Sequence, residues 1–204
     1  MQFRFDDLIK IPDEPAVRML ARKNSKLQAQ HGLPGSAMLP EMLQALMDQQ
    51  APFDMMHMLA VALPPREAVW WACLAARDLV GHDNPQPPPP LAAAERWVFK
   101  PDARNREAVR QAMELADVDD DTVLCAMAAA YADGTMGEGD LARAEAPPNA
   151  VPAAVLGMNM KSVSALADTD ETHMETLIAR ALDIARGGNG RLDSAPLADS
   201  KGEM

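Results

Sequence analysis

The sequence has few aromatic residues and no long runs of valine and isoleucine, the residue types that favour β-strands. Only 4% of its 204 residues are aromatic, whereas methionine occurs 15 times. Alanine, leucine and methionine dominate the apolar content, and all three have high helix propensity. The composition therefore favours helices, and a chain of this length can bury a hydrophobic core.

A net positive charge is also absent. The chain carries 30 acidic and 19 basic side chains, which gives a formal net charge of −11. This negative field would repel a phosphate backbone, so we expect no binding to nucleic acid. Acidity favours solubility but does not identify a function.

Residues that bind metals are sparse and scattered. The two cysteines, Cys73 and Cys125, each lie in an apolar helical context, and we expect buried free thiols because disulfides are rare in the cytosol. The four histidines lie far apart and have no zinc-ligand spacing; they are His31, His57, His82 and His173. We therefore expect no metal and no cofactor.

Long apolar segments are missing as well. The longest apolar run near the middle, residues 68–76, is far shorter than the roughly 20 residues that a membrane-spanning helix needs. The first residues include Asp6 and Asp7 and contain no apolar core typical of a signal peptide. We expect a cytoplasmic protein without a membrane span.

Two short segments resemble ligand-binding loops but lack the required residues. The acidic cluster at 117–121 has neither the central Gly nor the bidentate Glu of a calcium loop, so helix capping explains it better. The Gly-rich segment 133–140 has no Lys and no preceding strand, which argues against a phosphate loop.

Ser162 and Ser164 lack the nucleophile-elbow motif of a serine hydrolase. The sequence predicts a protein that is not an enzyme, although catalytic groups can converge from distant positions without leaving a motif.

Apolar residues recur at helical spacing over most of the chain. The pattern predicts an all-α protein, either an irregular bundle or a solenoid-like stack of about eight or nine short helices. No repeat of fixed period is present. We expect caps and apolar faces at several positions, namely caps at Asp13, Ser36, Asp102 and Asp168 (the last with Glu171), and buried stripes at Val17/Leu20/Ala21 and Leu124/Met127/Ala128/Tyr131.

The predicted organisation has three parts. Residues 1–35 form an N-terminal arm and a basic helix, residues 36–186 form the all-α domain, and residues 187–204 form a disordered tail. The segment 81–90 contains five prolines and predicts an extended connector. It either separates two subdomains or crosses the surface of one.

Residues 66–80 are apolar on almost every side, which predicts a buried central helix. Trp70 and Trp71 are adjacent on it and point about 100° apart. Either both lie in the core, or one is partly exposed and anchors a partner, as Trp often does in binding hot spots.

Basic residues supply the other candidates for partner binding. Arg66 and Arg77 flank the central helix, and Arg96 precedes Trp97; these arginines either pair with acids inside the fold or rim a binding patch. A basic face on the first helix is either solvated or docks on an acidic surface. The predicted partner-binding residues are Trp70, Trp71, Arg66, Arg77, Arg96, Trp97, Arg18, Arg22 and Lys26.

Three segments resemble an uncharacterised bacterial family, known as a domain of unknown function. They are residues 63–73 (LPPREAVWWAC), residues 94–98 with 105–108 (AERWV and NREA), and residues 126–131 (AMAAAY) with the loop to 147–148. The resemblance covers roughly residues 37–166; the third segment departs from it by lacking a Trp near Tyr131. Some members lie beside type VI secretion genes, so the resemblance implies an accessory role in that apparatus.

We therefore expect a non-enzymatic protein-interaction module, an adaptor or accessory protein whose partner is another protein; the resemblance implies that this partner is a component of a secretion apparatus. One alternative is a chaperone that shields a secreted substrate in a Met-lined groove. Another is an enzyme or small-ligand binder whose site is assembled from distant residues.

Overall fold

A computed structural model describes residues 3–137, 139–168, 170 and 172–192. Within these residues the chain forms α-helices, one short 3₁₀ helix at Gly139–Arg143, and an isolated bridge between Thr135 and Glu145 in place of any strand. The helices are α1 (Ala16–Arg22), α2 (Leu39–Asp48), α3 (Pro52–Ala62), α4 (Pro65–Val80), α5 (Pro89–Phe99), α6 (Ala103–Glu114), α7 (Val123–Ala130), α8 (Ala150–Leu166) and α9 (His173–Ala185). The predicted all-α fold is confirmed.

Helix α4 lies at the centre of the fold. It contacts α5, α7, α8 and α9, and its contact with α8 is the most extensive between any two described helices. Eight of its side chains are buried, at positions 68, 69 and 71–76. A helix that is apolar on nearly all sides needs neighbours on nearly all sides, which is the arrangement observed.

Prolines occupy the first or second position of four helices, α2 to α5. Pro52 and Pro65 occupy the first positions of α3 and α4, where the missing backbone donor costs nothing. Pro89 and Pro90 occupy the first two positions of α5, so the Pro-rich connector is limited to residues 81–88. Buried residues on both sides of the connector belong to one core cluster. The connector therefore crosses the surface of a single core.

Two helix starts differ from the sequence expectation. Helix α1 begins at Ala16, with Pro15 rather than Asp13 before it. Of its predicted stripe only Leu20 is buried, together with Ala16 and Met19, whereas Val17 is partly buried and Ala21 is exposed. Helix α2 is preceded by Met38, not Ser36, and the Glu41 carboxylate accepts the Met38 N–H at 2.8 Å. In both cases the cap lies closer to the first buried residue than the sequence pattern indicated.

Of the stripe predicted for helix α7, only Ala128 is fully buried. The helix's fully buried residues are Cys125, Ala126 and Ala128–Ala130, whereas Leu124, Met127 and Tyr131 lie at the periphery of the core. The helix is packed among α4, α5, α6 and α8. Small side chains permit this close approach on several sides, so the larger apolar groups occupy the margins.

Helix α9 has the predicted apolar face but a different start. Leu177, Ile178, Ala181, Leu182 and Ala185 are buried as expected. Asp170, rather than Asp168, accepts hydrogen bonds from Thr172 at 2.9 Å and 2.8 Å and orders the turn before the helix. The expected partner of Asp168, Glu171, lies outside the described residues.

The two ends of the described chain meet beside α9. Lys10 N–H donates to the Ala185 carbonyl at 2.9 Å, and the Arg186 guanidinium donates to the Arg4 and Asp6 carbonyls. Residues 187–192, expected to be part of a disordered tail, instead turn back over α4; the remainder of that expectation, 193–204, lies outside the described residues. Among the described residues, no helix combines the length and apolarity that crossing a membrane requires.

Candidate functional site

An aromatic pair, Trp70 and Phe99, forms the most distinctive surface feature. Trp70 lies on α4 and Phe99 is the last residue of α5; their ring centroids are 5.8 Å apart at an interplanar angle of 60°. Trp70 is half-buried, whereas Phe99 is 72% exposed. The Phe99 ring packs against Trp70, which restricts its motion. An exposed ring held in this way loses little conformational entropy when it buries more apolar surface against a partner.

Two clefts adjoin the aromatic pair, and both are lined by it. The arginine cleft, of about 500 Å³, is also lined by Leu74, Arg77, Arg180 and Arg191. The glycine cleft, of about 290 Å³, is also lined by Arg66, Val98, Ile184, Gly187 and Gly188. The aromatic pair therefore forms a ridge between two concave regions.

The C-terminal segment 187–192 holds Trp70 in place. Trp70 Nε1 donates to the Asn189 carbonyl at 2.7 Å, and the Arg191 guanidinium lies 5.8 Å from the centre of the Trp70 ring. Gly190 N–H donates to Asp183 at 2.8 Å. Gly190 has φ +71°, and an added Cβ would lie 2.7 Å from Leu74 Cδ1, so both its conformation and its surroundings require glycine.

Cations border the ridge. Arg66 Nε donates to the Val98 carbonyl at 2.6 Å, and Lys10 Nζ lies 3.4 Å from Glu67. In the part of the chain that the structure describes, neither Arg66 nor Arg191 forms an ion pair. Their charges are therefore available to a binding partner.

Arg77 has an internal role instead. Its Nε and Nη2 donate to Glu95 at 2.7 Å and 2.6 Å, and its Nη1 donates to the Asn84 carbonyl at 2.9 Å. Hydrogen bonding to Glu95 raises the pKa of Arg77 further. The residue ties α4 to α5 and to the connector, so structural pairing accounts for it.

Beside the arginine cleft lies a buried polar network. Ser162 Oγ is 2.7 Å from His173 Nε2, which lies 3.6 Å from Asp78. Both terminal nitrogens of Arg180 donate hydrogen bonds to the Asp78 carboxylate, at 2.5 Å and 3.0 Å. The network joins α4, α8 and α9.

A serine, a histidine and a carboxylate are the components of a hydrolase triad, but their arrangement here differs from one. Ser162 and His173 are buried, and Ser162 lies within a helix rather than on an exposed turn. Asp78 approaches the same ring nitrogen as Ser162, and the carboxylate of Asp170 is 3.8 Å from the other. Burial lowers the pKa of His173, which favours a neutral, structural imidazole.

Two of the tryptophans predicted as candidates are core residues. Trp71 is fully buried and donates Nε1 to the Leu177 carbonyl at 3.0 Å. Trp97 is buried on α5. Of the adjacent pair, the partly exposed residue is Trp70, and Trp71 and Trp97 are inaccessible on the folded surface.

The basic candidates are divided among separate regions. Arg66 lies beside Trp70, and Arg96 is exposed on α5. Arg18 and Arg22 are exposed on α1, where Arg22 pairs with Glu14. Lys26 lines another cleft with Phe53 and His57. The structure therefore unites Arg66 with Trp70 but places the basic face of α1 elsewhere.

Phe99 and Arg191 belong to the surface but were not predicted. A signal for Phe99 was present, because it follows Trp97 by two positions and therefore points about 200° away on a helix. With Trp97 buried, Phe99 faces outward. Arg191 had no such signal, because it follows the Gly187-Gly188 helix end and its docking depends on contacts distant in sequence.

No group of three or more His, Cys, Asp or Glu side chains is arranged to hold a metal ion in the described part of the chain.

A family model described as a family of unknown function, DUF6931, matches residues 42–185. Neither a curated protein nor a solved structure matches the chain significantly.

Proposed function

The chain belongs to DUF6931, a family of unknown function, and we propose that it is a non-enzymatic module that binds another protein through the aromatic pair. The observation that carries this proposal is Phe99, an aromatic side chain 72% exposed between two clefts. Aromatic and arginine side chains dominate binding hot spots, and here Arg66 and Arg191 flank Trp70 and Phe99.

The polar groups of the arginine cleft favour a protein over a small ligand. Arg77 is bound to Glu95, and Arg180 is bound to Asp78. A small-molecule site requires polar groups directed at the ligand, whereas these guanidinium groups are directed at their own carboxylates. A protein partner needs mainly apolar area and a polar rim, which the ridge provides.

The resemblance to members found near type VI secretion genes extends the proposal to a cellular context. We propose that the partner belongs to such an apparatus and that this chain is an adaptor or accessory protein for it. The chaperone alternative has less support, because six methionines, Met19, Met42, Met55, Met56, Met58 and Met158, are buried in the core and are not available to a groove.

Photocrosslinking in cells tests the binding surface. A photoreactive phenylalanine replaces Phe99 in one variant and Val118, which is 99% exposed in the loop after α6, in a control variant. We expect a discrete adduct with one protein from position 99 and none from position 118. Mass spectrometry of the adduct then tests whether the partner is a secretion component.

Equal adducts at both positions, or none at position 99, would contradict binding through the aromatic pair. A single abundant partner unrelated to secretion would contradict the cellular context alone. Thermal unfolding of both variants confirms that the substitutions leave the fold intact.

A further inference from the structure

We infer that the segment which binds the aromatic pair is acidic and carries one apolar anchor residue. This inference rests on the proposed function and specifies the chemistry of the partner at the same surface. It depends on two features, the charges around the ridge and the dimensions of the glycine cleft.

The charge around the ridge is opposite in sign to that of the whole protein. The chain has a net charge of −11, yet Arg66 and Arg191 border the aromatic pair without an ion pair among the residues described. The nearby acids are mostly occupied: Glu67 pairs with Lys10, and Glu95 pairs with Arg77. A local cationic patch on an anionic protein selects an acidic segment and disfavours basic ones.

The two clefts do not attract acids equally. Asp83 is exposed at the arginine cleft and opposes the approach of a carboxylate there. The glycine cleft has Arg66 and Lys10 with Glu67 as its acid. We therefore place the acidic groups of the partner on the side of the glycine cleft, within reach of Arg66.

Arg66 is well suited to a carboxylate. Its Nε is held by the Val98 carbonyl at 2.6 Å, which fixes the plane of the guanidinium. The two terminal nitrogens then form a fork that matches the geometry of a carboxylate.

The glycine cleft is suited to a single side chain. Its volume of about 290 Å³ lies just below the range of roughly 300–1,000 Å³ typical of small-molecule sites. Val98, Ile184 and the aromatic pair provide apolar walls, and the backbone of Gly187 and Gly188 forms another wall; Asp183 occupies the space that a Cβ on Gly188 would take. A leucine or phenylalanine of the partner would fill it beside the Phe99 ring.

Selection from a library of random 12-residue peptides tests this chemistry. The full chain is immobilised, and peptides that also bind a Phe99→Ser variant are discarded. We expect the enriched peptides to have two or more Asp or Glu residues within a turn of one Leu, Ile, Phe or Met. Enrichment of neutral or basic peptides, or failure to enrich any peptide, would overturn the inference.

Variants at the two arginines provide a second measurement on the enriched peptides. Arg66→Gln should weaken binding by about fivefold to tenfold, and Arg191→Gln, on the side of the arginine cleft, should weaken it less; raising the salt concentration should reduce the loss of affinity in both variants. Arg18→Gln removes the same charge from α1, outside both clefts, and should change affinity less than twofold. Equal losses in all three variants would show a general charge effect and would contradict a specific acidic contact.

The two proposals fail in different ways. If the crosslink at position 99 forms but the selected peptides are not acidic, the surface binds a partner of other chemistry and only the inference is lost. If no crosslink forms while acidic peptides bind, the surface chemistry is correct and the cellular function lies elsewhere.

Discussion

Trp70 donates its indole N–H to the backbone carbonyl of Asn189, 2.7 Å away and 119 residues later in the chain. Its neighbour Trp71 makes a similar bond to the Leu177 carbonyl, at 3.0 Å, in the core. Two adjacent residues of the same type therefore have the same hydrogen-bonding need but opposite environments. Because Trp71 is buried, its role is structural, whereas Trp70 is half-buried and keeps part of its ring accessible to solvent.

Substituting each tryptophan by phenylalanine should separate these roles. Trp71→Phe removes a buried hydrogen bond and leaves a void in the core, so we expect it to lower the free energy of unfolding by about 2–3 kcal/mol. Trp70→Phe, on the half-buried side, should cost about 1 kcal/mol. Urea unfolding of the two variants measures both values, and a larger cost at Trp70 would contradict the assigned environments.

The central helix and its neighbours were predictable because their signals are local. Residues 66–80 are apolar on nearly every side, and α9 repeats its apolar residues at helical spacing. Asp102 was also predictable as a cap, and it accepts the Asn105 N–H at 2.9 Å. Each of these features is determined within one or two helical turns.

Features that depend on contacts between distant residues were not predictable. The small residues of α7 are buried because four helices surround it, a fact that its own sequence does not contain. Residues 187–192 are rich in glycine and lack periodicity, so nothing local indicated that they dock on Trp70. The surface proposed for binding was therefore only half anticipated: the sequence named Arg66 and Trp70 as candidates, but not Phe99 and Arg191.

Gly190 should be intolerant of a side chain. An alanine there must adopt φ +71° and place its Cβ 2.7 Å from Leu74 and 2.8 Å from Ile184, both buried. We expect a loss of about 2–4 kcal/mol in the free energy of unfolding from strain and overpacking together.

Gly134→Ala is the matched control for Gly190→Ala. Gly134 has φ +82°, but its added Cβ would meet no atom within 4 Å, so only the backbone strain of about 1–2 kcal/mol applies. Equal costs for the two variants, measured by urea unfolding, would show that the contact with Leu74 and Ile184 is unimportant.

The free energy of unfolding should depend on pH through His173. Burial lowers its pKa in the folded protein; Asp78 and Asp170 oppose that effect, and Arg180 adds to it. Below about pH 6.5 the unfolded chain binds the proton more readily, so stability is lost as the pH falls, by at most about 1.4 kcal/mol per pH unit. Above that value the imidazole is neutral in both states and the contribution is constant.

His173→Gln should reduce this slope while keeping a side chain able to bond with Ser162. Some pH dependence should remain, because burial also lowers the pKa of His57. Chemical unfolding between about pH 5.5 and pH 8 avoids most of the titration of carboxyl groups. An unchanged slope in the variant would rule out His173 as the source.

Arg77 should not be replaceable by lysine, because its fork joins three parts of the fold. Two nitrogens bind Glu95 on α5 and the third binds the Asn84 carbonyl in the connector. Lysine retains the charge but has one nitrogen, so at least one of these charge-assisted bonds is lost, and we expect the free energy of unfolding to fall by about 1–3 kcal/mol.

Arg96→Lys, at an exposed position on α5, is the matched control and should change the free energy of unfolding by less than about 0.5 kcal/mol. Similar stabilities for the two variants would mean that α4, α5 and the connector are held together by apolar packing alone, and that the Arg77–Glu95 pair contributes as little as an exposed ion pair.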